Sequence, residues 1–594
     1  IVIVGGKMKK WVIEDKKENY RKIIQENQIS NFLAIILGNR GIVKKEEIEI
    51  FLNLSMEKTH SPFLMKDLEK GCNLLIESLK NDEKIRIMGD YDQDGNSSTV
   101  ILYKALKRFS KDISYDIPNR LTDGYGLNIR MVEKAIEDEI ELIITCDNGI
   151  SALEAVKLAE DNGIKVIVTD HHQVISQEES GEMKQTLPDA HAIIDPQRLD
   201  CEYPFNKLCG AGVAYKFMEG LYEKLGLDKN LLQPLLAFVA MGTVCDIVDL
   251  VDENRVFVKK GLEILNSNPP VGFTELLKAA NYTKEVTEYT LGFITGPCVN
   301  AVGRFDDAKI GVNLFLTEDV EVAEKIANHL VKLNEKRKAL TEKGVLQIEK
   351  QIVEKEYDKN LLIVVKDKDI HESIAGIIAG KIKEKYNRPS FVLTGSKDDD
   401  ILKGSGRSIE AYDMFENISK AKEFFIKFGG HPMAAGFSLE EKNLDSLRDF
   451  LIKNSPLTSD DIFKILNIDL TYPIKNVNEA LIKIFEGLKP FGKGNHEPLL
   501  RDNDVNLQKL SIIGKNENVL KFKFLSEKKE VEGIMFENAM ETLNYLKEKF
   551  KDDFSFLLSG INRSDNLDVD IVYQPRLNEY MGSKTVQLLI KDIK

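Results

Sequence analysis

The sequence contains no apolar run of about 18 residues, so we expect no helix that crosses a bilayer and no membrane partner. Of its 594 residues, 43% are hydrophobic and 30% charged, as is typical of chains that fold around buried cores. Because one core rarely extends beyond about 250–300 residues, we expect three or four domains. Residues 1–7 are too short for a signal peptide, and we expect the natural chain to start at Met8.

Cysteine is scarce, and none of the six cysteines forms a Cys-x-x-Cys pair, which argues against a zinc site or a disulfide framework. We therefore expect buried reduced thiols in a cytoplasmic protein. Positive charge is also in deficit: the net charge of −14 argues against a protein that coats nucleic acid without specificity. A locally basic channel for a single strand remains compatible with this charge, because acidic residues gathered at a metal site account for part of it.

Histidine is rare as well, yet two of the eight histidines are adjacent in Asp170-His171-His172, directly after the apolar residues 166–169. Acidic residues follow three more apolar segments, 85–88, 142–146 and 242–245; they are Asp90, Asp92, Asp94, Asp147 and Asp246. Carboxylates and imidazoles delivered together at strand ends are the ligand set for a pair of hard divalent cations. The sequence therefore predicts a metal site and hydrolysis of a phosphate ester.

The spacing of these residues suggests how two cations could be shared. Asp92 and Asp94 are two residues apart in a turn that Gly95 allows to pass close to a ligand. Asp147 can bridge the two cations. Asp246 and His171 then complete the two ligand shells. Two cations about 3.5–4 Å apart lower the pKa of a bridging water and stabilise the attacking and leaving oxygens. His172 would face the substrate phosphate. Taken singly, these motifs could also be a calcium-type loop, a helix cap at Asp147 or a histidine pair without a ligand.

The fold class that we predict is α/β. Strands 84–89, 113–117, 141–146 and 164–169 alternate with helices 97–108, 129–137 and 150–161, the rhythm of a doubly wound parallel sheet whose ligands gather beyond the carboxyl ends of the strands. A second α/β unit follows, with strands 361–365 and 390–394 around helix 373–386. Strands 497–513, 519–525, 530–535, 555–561 and 567–573, with a helix near 538–550, then suggest an OB-like β-barrel. The expected domains are a helical N-terminal segment 8–75, a catalytic domain 76–318, a connecting helix 319–355, a second α/β domain 356–455 and a nucleic-acid-binding barrel 460–594.

Two glycine-rich stretches, 404–408 and 429–436, form a second constellation. Small residues let backbone N–H groups approach an anion, while Arg407 and His431 supply directed charge. Two tight turns in a packed domain would also explain them. Arg304 is a further candidate for a phosphate contact, with an ion-pair role as the alternative.

These motifs resemble the DHH phosphoesterase superfamily with its DHH-associated second domain (DHHA1), and within it the RecJ exonucleases of single-stranded DNA. The resemblance extends over most of the chain. It includes 40–42, 123–127, 195–198, 203–205, 208–214, 253–255, 371–377, 388–389 and 490–495. It implies processive 5′-to-3′ hydrolysis of single-stranded DNA to mononucleotides with Mn²⁺ or Mg²⁺, in DNA repair and recombination. It also implies a monomer, with a helicase or a single-strand-binding protein as a candidate partner that these residues do not identify.

The resemblance also implies roles for individual residues. Asp92, Asp94, Asp147, His171 and Asp246 would be metal ligands, and Asp90 and Asp170 would be ligands or supports of ligands. His172 would contact substrate, in a catalytic group with Asp147 and Asp170. Strand phosphates beyond the scissile one would be held by Arg304, Ser405, Arg407 and His431. The chain departs from the family pattern at Met88, where some relatives have a histidine, at Gln93 and Asn96, and at Cys298, which replaces an arginine.

Two other functions compete with this one. The same metal pair could hydrolyse short oligonucleotides or cyclic dinucleotides, or the chain could be a nuclease-dead module that binds single strands. The barrel favours long strands over small molecules. The complete set of acidic residues argues against the binding module.

Overall fold

The computed structural model describes residues 9–14, 20–120, 123–179, 182–396, 398, 400–514, 517–527, 529–560, 567–580 and 583–594. The expected start at Met8 lies outside them. Among these residues no helix is long and apolar enough to cross a membrane. The chain forms two compact units, one of residues 1–53, 458–491 and 496–594, the other of residues 54–457 and 492–495. The expected N-terminal segment 8–75 is thus divided after Asn53. The reason is that the core of the first unit takes in Phe32, Ile36 and Ile48.

Residues 68–316 of the second unit, which we expect to be catalytic and call the catalytic part, are built on a parallel sheet. Their N-terminal neighbours in the chain are β1 (Lys10–Ile13), α1 (Tyr20–Asn27), α2 (Asn31–Asn39) and α3 (Lys45–Leu52). The catalytic part begins with α4 (Leu68–Lys80), β2 (Ile85–Met88), α5 (Gln93–Leu106), β3 (Ile113–Asp116), α6 (Ile129–Glu137), β4 (Leu142–Cys146), α7 (Leu153–Asp161) and β5 (Lys165–Thr169). It continues with β6 (Ser176–Glu179), β7 (Glu182–Gln185), β8 (Ala192–Ile194), α8 (Gly210–Lys224), α9 (Leu236–Cys245), α10 (Asp252–Ser267), α11 (Val271–Ala279), a π-helical turn (Thr290–Thr295), α12 (Gly296–Phe305) and α13 (Lys309–Leu316).

The strand order β3-β2-β4-β5-β8, all parallel, confirms the predicted doubly wound sheet. Helices α4, α5 and α8 contribute to the large core on one face, and α6 and α7 to the smaller core on the other. The chain leaves β2 first toward β3 and then returns to β4 on the opposite side. The topological switch point therefore lies between β2 and β4, where ligands of such sheets bind.

A long helix and a mixed sheet complete the second unit. The elements are α14 (Val320–Glu354), β9 (Ile363–Lys366), α15 (Glu372–Tyr386), β10 (Ser390–Gly395), β11 (Ile401–Arg407), α16 (Met414–Lys420), β12 (Lys427–His431), β13 (Ala434–Glu440) and α17 (Leu444–Lys453). With 35 residues, α14 is about 52 Å long. The sheet order is β12-β13-β11-β10-β9, with only β9 and β10 parallel. The predicted connecting helix and second α/β domain are confirmed as elements of the fold.

The C-terminal elements include the predicted barrel, while β14 (Ile465–Ile468) pairs with β1 in a separate two-stranded sheet. They are β14 (Ile465–Ile468), β15 (Leu470–Thr471), α18 (Glu479–Gly487), β16 (Leu500–Ile513), β17 (Val519–Ser526), β18 (Lys529–Met535), α19 (Ala539–Phe550), α20 (Phe554–Ser559), β19 (Asp568–Tyr580) and β20 (Ser583–Ile593). Strand β16 pairs with both β17 and β19, which closes five strands into a barrel with β15 attached.

Three local predictions were wrong. Residues 554–559 form α20 where we predicted a strand at 555–561, because Phe554 and Leu557 are buried at helical spacing; residue 561 lies outside the described residues. Helix α5 begins at Gln93, not residue 97, because the Asp92 side chain caps it. The predicted helix 150–161 begins only at Leu153, after the backbone turn at Gly149, whose φ is +113°.

Candidate metal centre and phosphate pocket

Four acidic segments meet at the carboxyl edge of the parallel sheet. Asp90 follows β2, and Asp92 caps α5: its Oδ1 accepts hydrogen bonds from the N–H groups of Asp94 (2.9 Å) and Gly95 (3.1 Å). Asp147 follows β4 with a φ of +61°. Asp90 and Asp147 therefore flank the switch point between β2 and β4. The fold brings together strand ends that are more than fifty residues apart in sequence.

Asp94 is held from the opposite side by the first turn of α8. Its carboxylate accepts hydrogen bonds from the N–H groups of Gly210 (2.7 Å) and Ala211 (2.9 Å). A Cβ atom at Gly210 would lie 2.5 Å from Cβ of Asp147. At Gly242 it would lie 2.3 Å from Oδ1 of Asp94. These two glycines let α8 and α9 approach the carboxylates.

His171 stands at the centre of the acidic group. Its Nε2 atom lies 3.0 Å from Oδ1 of Asp147 and 3.7 Å from a carboxylate oxygen of both Asp94 and Asp246. Asp246 is delivered by the C-terminal end of α9. In the described structure, three groups have ligand atoms within 4.8 Å of one another, and they are Asp90–Asp92–Asp147, Asp94–His171–Asp246 and Asp147–His171–His172.

Unsatisfied buried atoms show that these residues suit a cation. Oδ2 of Asp90, Oδ1 of Asp147 and Nε2 of His171 are buried without a hydrogen-bond partner among the described atoms. Burial, and then the charges of neighbouring aspartates, raise the pKa values of Asp90, Asp147 and Asp246 well above their usual range. Burial lowers the pKa of His171, which favours the neutral imidazole that ligates metals. Oxygen and imidazole ligands of this kind fit hard divalent cations such as Mn²⁺ or Mg²⁺.

His172 has a different set of contacts. Its Nδ1 donates a hydrogen bond to Oδ1 of Asp170 (2.7 Å), and Oδ2 of Asp170 accepts from the N–H of Ile150 (3.0 Å). Although burial alone would lower it, the charge of Asp170 raises the pKa of His172 to about 9. The Tyr125 hydroxyl lies 3.1 Å from Nε2 of His172 and donates to the carbonyl of Asp147 (2.7 Å). Asp170 thus orients His172 and is not in any of the three candidate ligand groups.

A cluster of arginines lies on the side of α12 and the second sheet. Burial, followed by the charges of Arg120 and Arg337, lowers the pKa of Arg304 to about 9; Arg407 contributes further. Arg304 donates a hydrogen bond to the carbonyl of Ser373, and its Nε atom has no acceptor among the described residues. Half-buried guanidinium groups that repel one another suit an anion, which would offset their charge.

Ser405 and Arg407 are two residues apart on β11, so both side chains project from the same face of the sheet. A cavity of about 430 Å³ lies over this face, and its lining includes Arg120, Ser373, Ser405, Gly429 and Gly436. A Cβ at Gly376 would lie 2.8 Å from Nη2 of Arg407, so this glycine gives the guanidinium its room.

His431 belongs to the same face of the sheet, although it lies at its edge. Ala434 of β13 pairs with both His431 of β12 and Arg407 of β11. Side chains in one such row point to the same side, and two strand spacings separate His431 from Arg407 by roughly 10 Å. The structure therefore brings Ser405 and Arg407 together with Arg304 and sets the exposed His431 further out.

The sequence analysis missed Arg120, Arg337 and Asn300. Arg120 follows β3, the neighbouring parallel strand, and its guanidinium lies 5.0 Å from the Tyr91 ring centroid. Its position after a strand end was a signal that could have found it. Arg337 lies among many charged residues of α14 and carries no such signal. Asn300 supports the loop of residues 90–94, which carries candidate ligands and is called the metal loop below, because its Oδ1 accepts a hydrogen bond from the N–H of Gln93 (2.7 Å).

Known protein families match these same parts of the chain. The model of the DHH family, N-terminal domain, matches residues 84–243, the DHHA1 domain matches 358–454, and the RecJ OB domain matches 468–592. The single-stranded-DNA-specific exonuclease RecJ of Bacillus subtilis strain 168 is 31% identical over 593 residues, which cover 99% of this chain and 71% of that protein. RecJ of Haemophilus influenzae is 31% identical over 597 residues, covering 97% and 98%. The chain belongs to the RecJ family.

A solved structure shares the fold of this RecJ-family chain. RecJ from Thermus thermophilus in complex with Mn²⁺ superposes with a TM-score of 0.79 and 24% identity, covering 98% of this chain and 79% of that one. The Thermus protein has also been solved in complex with Mg²⁺.

The positions that depart from the RecJ pattern have structural roles here. Met88 is fully buried in the core beneath α6 and α7 and offers no ligand. The Gln93 side chain donates to Oγ of Ser97 (2.9 Å), and Asn96 donates to the carbonyl of Asp92 (2.6 Å), so both brace the metal loop. Cys298 is buried, accepts from Nδ2 of Asn334 (3.3 Å), and has a pKa that burial raises to about 11. Cys298 is therefore a neutral thiol.

Proposed function

We propose that this chain is a metal-dependent exonuclease that hydrolyses single-stranded DNA from the 5′ end to mononucleotides, in DNA repair and recombination. The observation that carries the proposal is that one unit holds two sites of opposite charge: a buried cluster of carboxylates with His171, and a cluster of arginines beside a cavity whose lining includes Arg120 and Ser405. The names of the relatives, single-stranded-DNA-specific exonucleases, support the choice of substrate.

Two divalent cations, Mn²⁺ or Mg²⁺, would be held by Asp90, Asp92, Asp94, Asp147, His171 and Asp246. When bound, such cations activate a water and stabilise the charge of a phosphodiester undergoing displacement. Asp147 belongs to two of the three candidate ligand groups and His171 also to two, which supports two cation positions that share a carboxylate.

Other side chains would bind and orient the DNA strand. Asp170 fixes the imidazole of His172 through the 2.7 Å hydrogen bond, which lets Nε2 donate to an oxygen of the scissile phosphate. Arg304, Ser405 and Arg407 would hold the terminal 5′ phosphate or the one beside it, with Arg120 as a further contact, and His431 would contact the strand further out. Arginines gathered in the same unit as the candidate metal centre suit the phosphates of a strand, which supports action on single-stranded DNA.

The test is Mn²⁺-dependent degradation of a long single-stranded DNA labelled at either end. We expect immediate release of 5′-labelled mononucleotide, with little early release of the 3′ label. Asp147→Ala should abolish release, while Asp502→Asn in the barrel, a buried aspartate outside the site, should retain it. Metal-loaded protein that leaves the strand intact would refute the proposal, and cleavage of dinucleotides alone would point to a small-substrate phosphodiesterase. A monomer and a helicase or single-strand-binding partner stay predictions.

A further inference from the structure

Two aromatic rings lie exposed and parallel on the surface of the catalytic part. Tyr289 is 60% exposed and Phe293 is 65% exposed. Their ring centroids are 4.9 Å apart, with an interplanar angle of 19°. Burying such rings usually contributes a large part of the stability of a core or an interface. A stacked pair left open to solvent therefore indicates a surface that binds something flat and apolar.

The backbone beneath the rings is tied to the metal centre. The π-helical turn Thr290–Thr295 packs on α9, the helix that ends at Asp246. The thiol of Cys245 donates to the carbonyl of Leu291 (3.4 Å), and a Cβ at Gly292 would lie 3.5 Å from Val244. Leu291 is fully buried, so the rings two residues to either side face solvent. Turns of this rare type occur frequently at functional sites.

The helix that begins with this turn passes the whole candidate site. The turn continues into α12, where Asn300 binds the backbone of Gln93 in the metal loop and Arg304 joins the arginine cluster. At 1.5 Å per residue, Phe293 lies about 10 Å from Asn300 and about 16 Å from Arg304 along the axis. The order along one helix is therefore aromatic pair, metal loop, phosphate pocket.

We propose that Tyr289 and Phe293 form a stacking platform for bases of the single strand on the side of the scissile phosphate opposite the arginine cluster. This inference rests on the proposed function and adds the path by which the strand enters. Stacking of bases on aromatic rings tolerates every sequence, because each base has a π-face. A base placed on the outer face of either ring would extend the parallel stack already present.

The first test compares long and short substrates. In the Tyr289→Ala/Phe293→Ala double variant we expect the Kd for a long oligonucleotide of thymidylate to rise about 5- to 150-fold for each base that loses its ring. The kcat/KM for this strand should fall at least about fivefold relative to the kcat/KM for a dinucleotide, which is too short to reach from the phosphate pocket to the platform. Leu346→Ala, at a residue of α14 that is 67% exposed, is the matched control. An unchanged ratio in the double variant overturns the inference.

A second test reports stacking directly and does not depend on activity. Trp11 is the only tryptophan of the sequence, so Trp11→Phe/Phe293→Trp places a single indole at the platform. We expect its fluorescence to be quenched by bound single-stranded DNA and not by an abasic strand of the same length. Binding of the strand without quenching overturns the inference and leaves the proposed function standing. A wild-type protein that neither binds nor degrades the strand refutes the proposed function, and this inference with it.

Discussion

Asp147→Asn should change the stability of the protein in opposite directions with and without metal. The carboxylate of Asp147 lies within 4.8 Å of the candidate ligand atoms of Asp90 and Asp92. Without a cation, burial and then the charges of neighbouring aspartates raise the pKa values of Asp90 and Asp147. Asparagine has the same shape and removes one charge, so it relieves repulsion in the metal-free protein.

The size of the effect follows from the distances. Two unit charges 4.8 Å apart interact by about 3.5 kcal/mol at an effective dielectric constant of about 20. Protonation relieves part of this repulsion, so we expect a gain of about 1–2 kcal/mol in the metal-free variant. For a domain of about 150–250 residues, each 1 kcal/mol shifts the thermal midpoint by about 2–4 °C, so the shift should be smaller in the unit of residues 54–457 and 492–495. With Mn²⁺ at 100 times its Kd, the wild type gains about 2.7 kcal/mol for each bound ion, and the variant loses most of this gain.

The assay is differential scanning calorimetry in EDTA and in a Mn²⁺ titration, following the transition of the catalytic part. The variant should unfold above the wild type in EDTA and below it in saturating Mn²⁺. Asp502→Asn serves as control: this buried aspartate accepts hydrogen bonds from the N–H groups of Ile474 (2.8 Å) and Asn503 (2.9 Å) and should not alter the response to Mn²⁺. If Asp147→Asn lowers the midpoint in EDTA and keeps the full Mn²⁺ shift, Asp147 is a structural cap and not a ligand.

Three further predictions concern substrate, metal and pH. Arg407→Ala should weaken the binding of single-stranded DNA by about 1–3 kcal/mol, which appears as a higher KM, and should flatten the salt dependence of KM. Arg407→Lys should recover the salt dependence but not the low KM. Equal KM values for the wild type and Arg407→Ala would exclude a phosphate contact. Gly210→Ala places a Cβ 2.5 Å from Asp147, so calorimetric titration should show Mn²⁺ affinity about 10- to 100-fold weaker, and an unchanged affinity would show that α8 does not set the ligand position. His60 lies 3.1 Å from Asp252, a hydrogen bond that raises its pKa. The resulting stability is complete below about pH 6.5 and is lost as the pH rises through the higher folded pKa, so His60→Asn should lower the midpoint more at about pH 6 than at about pH 9. An equal decrease of the thermal midpoint at both pH values would contradict a stabilising role of the protonated His60.

The sequence could predict the sheet and the acidic edge because both depend on local signals. Apolar runs of strand length alternate with amphipathic segments, and carboxylates follow directly where three of the runs end. Parallel strands put all such ends at one edge, so Asp90, Asp147 and Asp170 had to be neighbours once the sheet was recognised. The bounds of α5 were wrong because a candidate metal ligand and a helix N-cap have the same sequence pattern, and in the structure Asp92 is the N-cap.

The anion site could not be found in the same way, because its parts have no shared local pattern. Arg120 follows a strand end, Arg304 ends α12, Arg407 lies within a strand, and Arg337 lies inside α14. In α14, charged residues occupy most exposed positions, so the sequence around Arg337 is the same as that of a solvated surface. What separates Arg337 from its neighbours is burial, which lowers its pKa, and burial depends on packing against α12. The half-buried Arg337 donates a hydrogen bond to Oδ1 of Asn334 (2.9 Å), and its charge helps to lower the pKa of Arg304; an anion bound there would offset the repulsion between the two guanidinium groups.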